Sequence, residues 1–147
     1  MEVVVLIGLQ ASGKTSFYQQ RFAATHLHLS KDLWKHNRQF KQQKQLREAL
    51  EKGQSVVIDN TNPTVQDRAG ILQQARNAGA STTGYYFQSK LETCLERNRK
   101  RERVVPEVGV RATSSKLQLP SLQEGFDRLF YVQLQAGTFI VSPWEKP

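Results

Sequence analysis

Cysteine is almost missing: Cys94 is the only one in 147 residues, which excludes a disulfide framework and a cysteine-based zinc site. Long apolar runs are missing too. The run Val3-Val4-Val5-Leu6-Ile7 is far short of the roughly 20 residues a membrane span needs. With no basic leader and no small-residue cleavage site, it does not read as a signal peptide. The chain shows no internal repeat, linker or low-complexity tract. Acids are scarce, 13 against 21 Lys and Arg, while 38% of residues are apolar, enough for one core. Single domains usually hold about 100–200 residues, so the expectation is one reduced, soluble, cytoplasmic domain over residues 1–147 with no membrane partner.

The net charge of +8 is unevenly placed. Lys31 to Lys52 holds seven basic residues against three acids, and Glu96 to Arg111 holds six against three. Such clusters concentrate polyanions and suit phosphate-rich partners, or else they are solvated helix faces.

The pattern alternates strands and helices. Residues 2–7 form a β-branched, aliphatic run suited to a strand buried on both faces. A helix follows from Lys14 to about Ala24, then a short strand at Leu27 and Leu29 ending at Ser30. A long polar helix is expected over Asp32 to Lys52, burying Leu33, Phe40, Leu46 and Leu50, with Gly53 as its stop. Ser55 to Asp59 reads as the next strand. Pro63 opens a helix to about Ala78, capped by Asn62 and stopped by Gly79. Thr82 to Phe87 is another strand, and Ser89-Lys90-Leu91-Glu92 has capping-box spacing for a helix that turns Leu91, Cys94 and Leu95 inward. Pro106, Gly109 and Pro120 punctuate a lid-like stretch with room for one short helix. Arg128–Leu134 and Thr138–Val141 read as two strands around Gln135-Ala136-Gly137. The fold class is α/β, a parallel β-sheet flanked by helices with right-handed crossovers.

Gly8-Leu9-Gln10-Ala11-Ser12-Gly13-Lys14-Thr15 satisfies G-x-x-x-x-G-K-[ST] at every fixed position and lies between a strand and a helix. The two glycines let successive N–H groups converge on one anion, and the helix adds its positive end. Gly8, Ala11, Ser12, Gly13, Lys14, Thr15 and Ser16 are therefore the nucleotide-binding candidates for ATP. Lys14 would reach the β- and γ-phosphates and the Thr15 hydroxyl would ligate Mg²⁺. Asp59, closing an apolar strand, either joins the Mg²⁺ shell, engages an acceptor hydroxyl, or caps the next helix. Asp32 follows the second strand, at the carboxyl edge of a parallel sheet beside the loop. It is either a general base or an N-cap, a job for which Ser30 competes. Arg97 and Arg101, spaced i, i+4, either clamp the triphosphate as a lid or end a solvated helix.

These residues, in this order, resemble the kinase domain of phage-type and mammalian end-healing polynucleotide 5′-hydroxyl kinases. The resemblance runs through Gly8–Thr15, Ser30-Lys31-Asp32, Asp59-Asn60-Thr61-Asn62-Pro63, the Arg-Asn-x-x-Arg at 97–101 and the segment Pro120 to Phe126. It implies a P-loop kinase fold with an arginine lid, ATP and Mg²⁺ at Lys14 and Thr15, and Asp32 as general base on a nucleic-acid 5′-hydroxyl. It also implies Asp59 near the acceptor, with Arg97 and Arg101 as the lid. In the phage-type enzymes an arginine three residues after the base helps hold a substrate phosphate. Here that position is Lys35, which keeps the charge but loses the bidentate fork. Lys35 and Arg38 join Asp59 on the acceptor side. No Asp-x-Asp phosphatase signature is present, so 3′-phosphatase activity is not expected in this chain.

His26, His28 and His36 have no metal-ligand spacing with a nearby acid and are assigned packing or surface roles. Cys94 reads as a small buried apolar residue, and Trp34 either stacks on a base or joins the core. Two other functions share the same phosphate loop: a small-molecule kinase acting on a nucleoside, sugar or other alcohol, and an ATP-switched binding module.

Overall fold

A computed structural model describes residues 1–145. Six strands form one sheet in the order β2-β3-β1-β4-β5-β6. They are β1 (Glu2–Ile7), β2 (Leu27–Leu29), β3 (Val56–Asp59), β4 (Ser81–Phe87), β5 (Arg128–Gln135) and β6 (Thr138–Pro143). The first five are parallel and β6 pairs antiparallel with β5. The helices are α1 (Lys14–Arg21), α2 (Arg38–Glu51), α3 (Val65–Asn77), α4 (Leu91–Arg99) and α5 (Glu107–Lys116). The expected α/β class is the one observed.

β1 is central because its side chains can be buried on both faces. Val3, Val5 and Ile7 join Leu46 and Leu50 of α2 and Ile71, Leu72 and Ala75 of α3 on one side. Val4 and Leu6 meet Phe17 and Tyr18 of α1, with Phe87 and Phe139, on the other. The phosphate loop thus leaves the middle of the sheet at its carboxyl edge, where parallel sheets present ligand sites. Ala136 and Gly137, with φ of 49° and 79°, supply the two left-handed residues that a tight β5–β6 hairpin requires.

Four expected elements are corrected. The long helix from Asp32 is interrupted: Lys31–Leu33 is a single 3₁₀ turn, Asn37 adopts φ 51°, and α2 begins at Arg38. The break turns Leu33 and Phe40 to solvent, 58% and 66% exposed, in place of the expected burial. Asn62 does not cap α3. Thr64 does, accepting from Asp67 N at 3.0 Å, while the buried Asn62 amide donates to Leu6 O at 2.7 Å and ties β1 to the end of β3. Ser89 caps nothing; it accepts from Leu9 N at 3.1 Å and donates to Phe87 O at 2.7 Å, stitching the phosphate loop to β4. Finally, α1 stops at Arg21 instead of Ala24, because Phe22 and Ala23 both bond back to Tyr18 O.

A buried cation ties α3 to the segments that follow β3 and α5. Arg68, fully buried on α3, makes a two-pronged pair with Glu124 at 2.8 and 3.1 Å and donates to Asn62 O at 2.9 Å and Gln118 O at 3.2 Å. Breaking such a pair leaves an uncompensated buried charge, which costs roughly 3–5 kcal/mol. Arg68→Met is expected to lower stability by that amount in urea melts, and Arg68→Met combined with Glu124→Leu to recover most of it.

Candidate nucleotide and acceptor site

The loop geometry follows from its glycines. Gly13 has φ +103°, and a Cβ there would lie 2.9 Å from the Phe139 ring. Ala11 also takes a left-handed φ of 63°. Lys14 folds back into the loop, its ammonium donating to Gly8 O at 2.9 Å, Leu9 O at 2.6 Å and Ser12 Oγ at 3.3 Å. Burial lowers its pKa from 10.5 to about 8, with Asp59 the main opposing influence and the Arg101 guanidinium pushing further down. A polyphosphate arriving above the loop would supply the counter-charge that burial withholds.

Asp59 ends β3 at the same place. Its Oδ2 accepts from Thr15 Oγ1 at 2.8 Å and from His28 Nε2 at 2.8 Å. Because the Thr15 proton is committed to Asp59, the hydroxyl lone pairs are left for a cation. A hydroxyl and a carboxylate are hard oxygen donors of the kind Mg²⁺ takes alongside substrate phosphates and water, so the residues fit that ion. Among the described residues no group of three or more His, Cys, Asp or Glu could hold a metal without such help.

Asp32 is placed by the strand ends. Its N–H donates to Ser30 Oγ at 3.2 Å; Lys31 N donates to Asn60 Oδ1 at 2.8 Å, and Asn60 in turn donates to the buried Gln42 at 2.7 Å. Ser30 thus takes the capping job and leaves the Asp32 carboxylate 62% exposed. It faces the same open cleft, about 880 Å³, that contains the loop residues Gln10, Ala11, Gly13, Lys14, Thr15 and Ser16. Arg38 Nη2 approaches Asp32 Oδ1 at 3.4 Å from α2, and Arg103 Nη2 at 3.8 Å from the opposite wall.

Arg97 and Arg101 both line this cleft, but not from one helical face. α4 ends at Arg99, and Arg101 sits in the turn beyond, its N–H on Asn98 O. The buried Asn98 side chain donates to Val105 O at 2.6 Å and accepts from Val105 N at 3.0 Å, closing the loop that carries Arg101 and Arg103 inward. Lys35 is not brought to the cleft. The helix break advances the chain so that Arg38, six residues after Asp32, lines it. Gly8 and Ser12 lie beneath, holding Lys14. Trp34 is half-buried against the core, and Cys94 is buried with its thiol pKa raised by desolvation.

His28, assigned a packing or surface role from the sequence, contacts Asp59. Asn60 and Asn98 enter the sequence reading only as motif members and Arg103 only as part of the basic cluster, none with a role of its own. The alternation in β2 puts Leu29 on one face of the sheet and His28 on the other, the face Asp59 shares, and the β2–β3 register then brings His28 and Asp59 together.

A nucleotide loop at the head of a five-stranded parallel array, with a cluster of arginines and an acid-bearing strand lining the same cleft, defines a P-loop domain of the kinase type. The chain belongs to the AAA domain family, which it matches over residues 3–120. It is 31% identical over 131 residues to the bifunctional polynucleotide phosphatase/kinase of Schizosaccharomyces pombe, covering 85% of this chain and 32% of that protein. The chain therefore spans about a third of the length of that relative. Its fold is shared with a gluconokinase from Sinorhizobium meliloti (TM-score 0.64, 16% identity, 90% of this chain and 82% of that one). Chaetomium thermophilum Kti12, solved with ADP-AlF3, also shares it (TM-score 0.66, 19% identity, 89% and 88%). No helix among the described residues is long and apolar enough to cross a membrane.

Proposed function

We propose that the protein transfers the γ-phosphoryl group of ATP to the 5′-hydroxyl of a polynucleotide. The observation that carries this reading is the pair of guanidinium groups, Arg38 and Arg103, converging on the Asp32 carboxylate inside the P-loop cleft. A neutral sugar has no use for such a pair, whereas the phosphates flanking a polynucleotide end would take it from the carboxylate. The cleft lining has seven Lys and Arg against three Asp, and the resemblance to the fission-yeast enzyme supports the same acceptor.

In this reading Asp32 accepts the hydroxyl proton as the oxygen attacks the γ-phosphorus. The bond from that phosphorus to the β,γ-bridging oxygen breaks, and ADP leaves. Lys14, Arg97 and Arg101 offset the charge that spreads over the phosphoryl oxygens. Thr15 and Asp59 would hold Mg²⁺, which neutralises the β- and γ-phosphates when bound.

The test is transfer of labelled γ-phosphate to a 5′-hydroxyl oligonucleotide, with the 5′-phosphorylated oligonucleotide as control. Label is expected on the first alone. Because several phosphates would be contacted, activity should fall steeply, by about tenfold or more, between 50 and 200 mM salt. Label on gluconate or a nucleoside but not on the oligonucleotide, insensitive to salt, would overturn the proposal in favour of a small-molecule acceptor.

A further inference from the structure

His28 lies outside the phosphate loop and the arginine cluster, yet its ring is held on two sides, by Tyr18 and by Asp59. In the β2–β3 register His28 is opposite Val57, so Asp59, two residues on, is its diagonal neighbour on the same face. The ring stacks on Tyr18 of α1 at 4.2 Å between centroids and 22° between planes. Tyr18 is itself fixed, its hydroxyl donating to His26 O at 2.7 Å. Nε2 meets Asp59 Oδ2 at 2.8 Å. A carboxylate oxygen can only accept, so this nitrogen carries the proton.

The same Oδ2 takes the Thr15 hydroxyl proton at 2.8 Å. Thr15 can turn its lone pairs toward a cation only while Asp59 holds its proton on the far side. Both donors converge on this one oxygen position, so His28 holds the Asp59 carboxylate where Thr15 meets it.

We infer that His28 is a positioning residue that orients Asp59, and through it Thr15, for the divalent cation accompanying the nucleotide. This rests on the nucleotide-and-cation half of the function proposed above and not on the choice of acceptor. Partners one shell out from a metal typically set its affinity by about 10–100-fold, and the effect here should fall in that range.

Two substitutions separate the donor from the stack. His28→Phe keeps the ring on Tyr18 and removes the donor, while His28→Gln keeps a donor nitrogen at the same reach and removes the ring. Binding of a fluorescent ATP analogue is measured with and without Mg²⁺, beside Mn²⁺ affinity from electron paramagnetic resonance of the nucleotide complex. The phenylalanine variant is expected to bind metal-free nucleotide within about twofold of the wild type and to lose about tenfold in Mn²⁺ affinity and in the Mg²⁺ enhancement. The glutamine variant should restore most of that loss. Should His28→Phe not fold, His28→Met serves as the donor-free comparison. The inference is overturned if the donor-free variant keeps its cation affinity, if it weakens metal-free binding equally, or if glutamine gives no rescue. These readouts need no acceptor, so absence of label on an oligonucleotide would count against the proposed acceptor and leave the His28 result standing.

Discussion

Lys14→Met is expected to abolish phosphoryl transfer and, in the absence of nucleotide, to make the protein more stable. Both effects come from one feature, the buried Lys14, whose ammonium makes three donations inside the loop. Burial lowers its pKa from 10.5 to about 8. Keeping the group charged in the folded state therefore costs up to about 3 kcal/mol at neutral pH. Methionine fills a similar volume without that cost. The folded pKa lies below the unfolded one, so the unfolded chain binds more protons between about pH 8 and 10.5 and wild-type stability rises through that window. The advantage of the variant should be complete below pH 8 and close as the pH approaches 10.5. Thermal melts at neutral and alkaline pH read it directly; equal melting temperatures at pH 7 would contradict the account. Transfer should fall by about 10²–10³-fold or more, as when a donor aimed at developing charge is removed.

Asp32→Asn is expected to lower kcat by about 10²–10⁴-fold, the usual contribution of a positioned base, with ATP affinity changed only a few-fold. The amide has nearly the same shape and can still accept from Arg38, but it cannot take a proton. Stability should hardly move, because exposed ion pairs contribute only about 0–1 kcal/mol and Asp32 is 62% exposed. A nucleotide-switched binding module would show the opposite pattern, keeping its ATP-dependent behaviour in full. Single-turnover rates beside equilibrium nucleotide binding separate the two.

The parts of the fold carried by contiguous residues were legible in advance. β1 reads from an unbroken run of buried aliphatics, and the phosphate loop from fixed positions whose spacing the anion dictates. The helix break at Asn37 was not legible. Nothing in its polar neighbourhood forbids helix, and the turn at Lys31–Leu33 is held by contacts distant in sequence or across the break, Lys31 N to Asn60 and Arg38 Nε to Lys31 O. That break also moves the cleft-lining cation from Lys35 to Arg38. The contact between His28 and Asp59 depends on strand register, which a single sequence does not specify when both strands are short. Counting i, i+4 puts Arg101 on a helix face with Arg97, but α4 ends at Arg99 and the Asn98 side chain holds Val105, so Arg101 lies in the loop beyond. Arg103, which faces Asp32 across the cleft, became visible only once that loop was closed.

In the proposed reaction Asp32 stands beside the acceptor oxygen, in line with the terminal phosphorus of a nucleotide on the Gly8–Thr15 loop. A crystal structure with a non-hydrolysable ATP analogue and a 5′-hydroxyl oligonucleotide measures this directly. The 5′-oxygen is expected within about 2.6–3.2 Å of an Asp32 oxygen, with Arg38 and Arg103 released from the carboxylate and turned to the oligonucleotide phosphates. A complex in which Asp32 stays clamped by both arginines while the 5′-end binds elsewhere would contradict it.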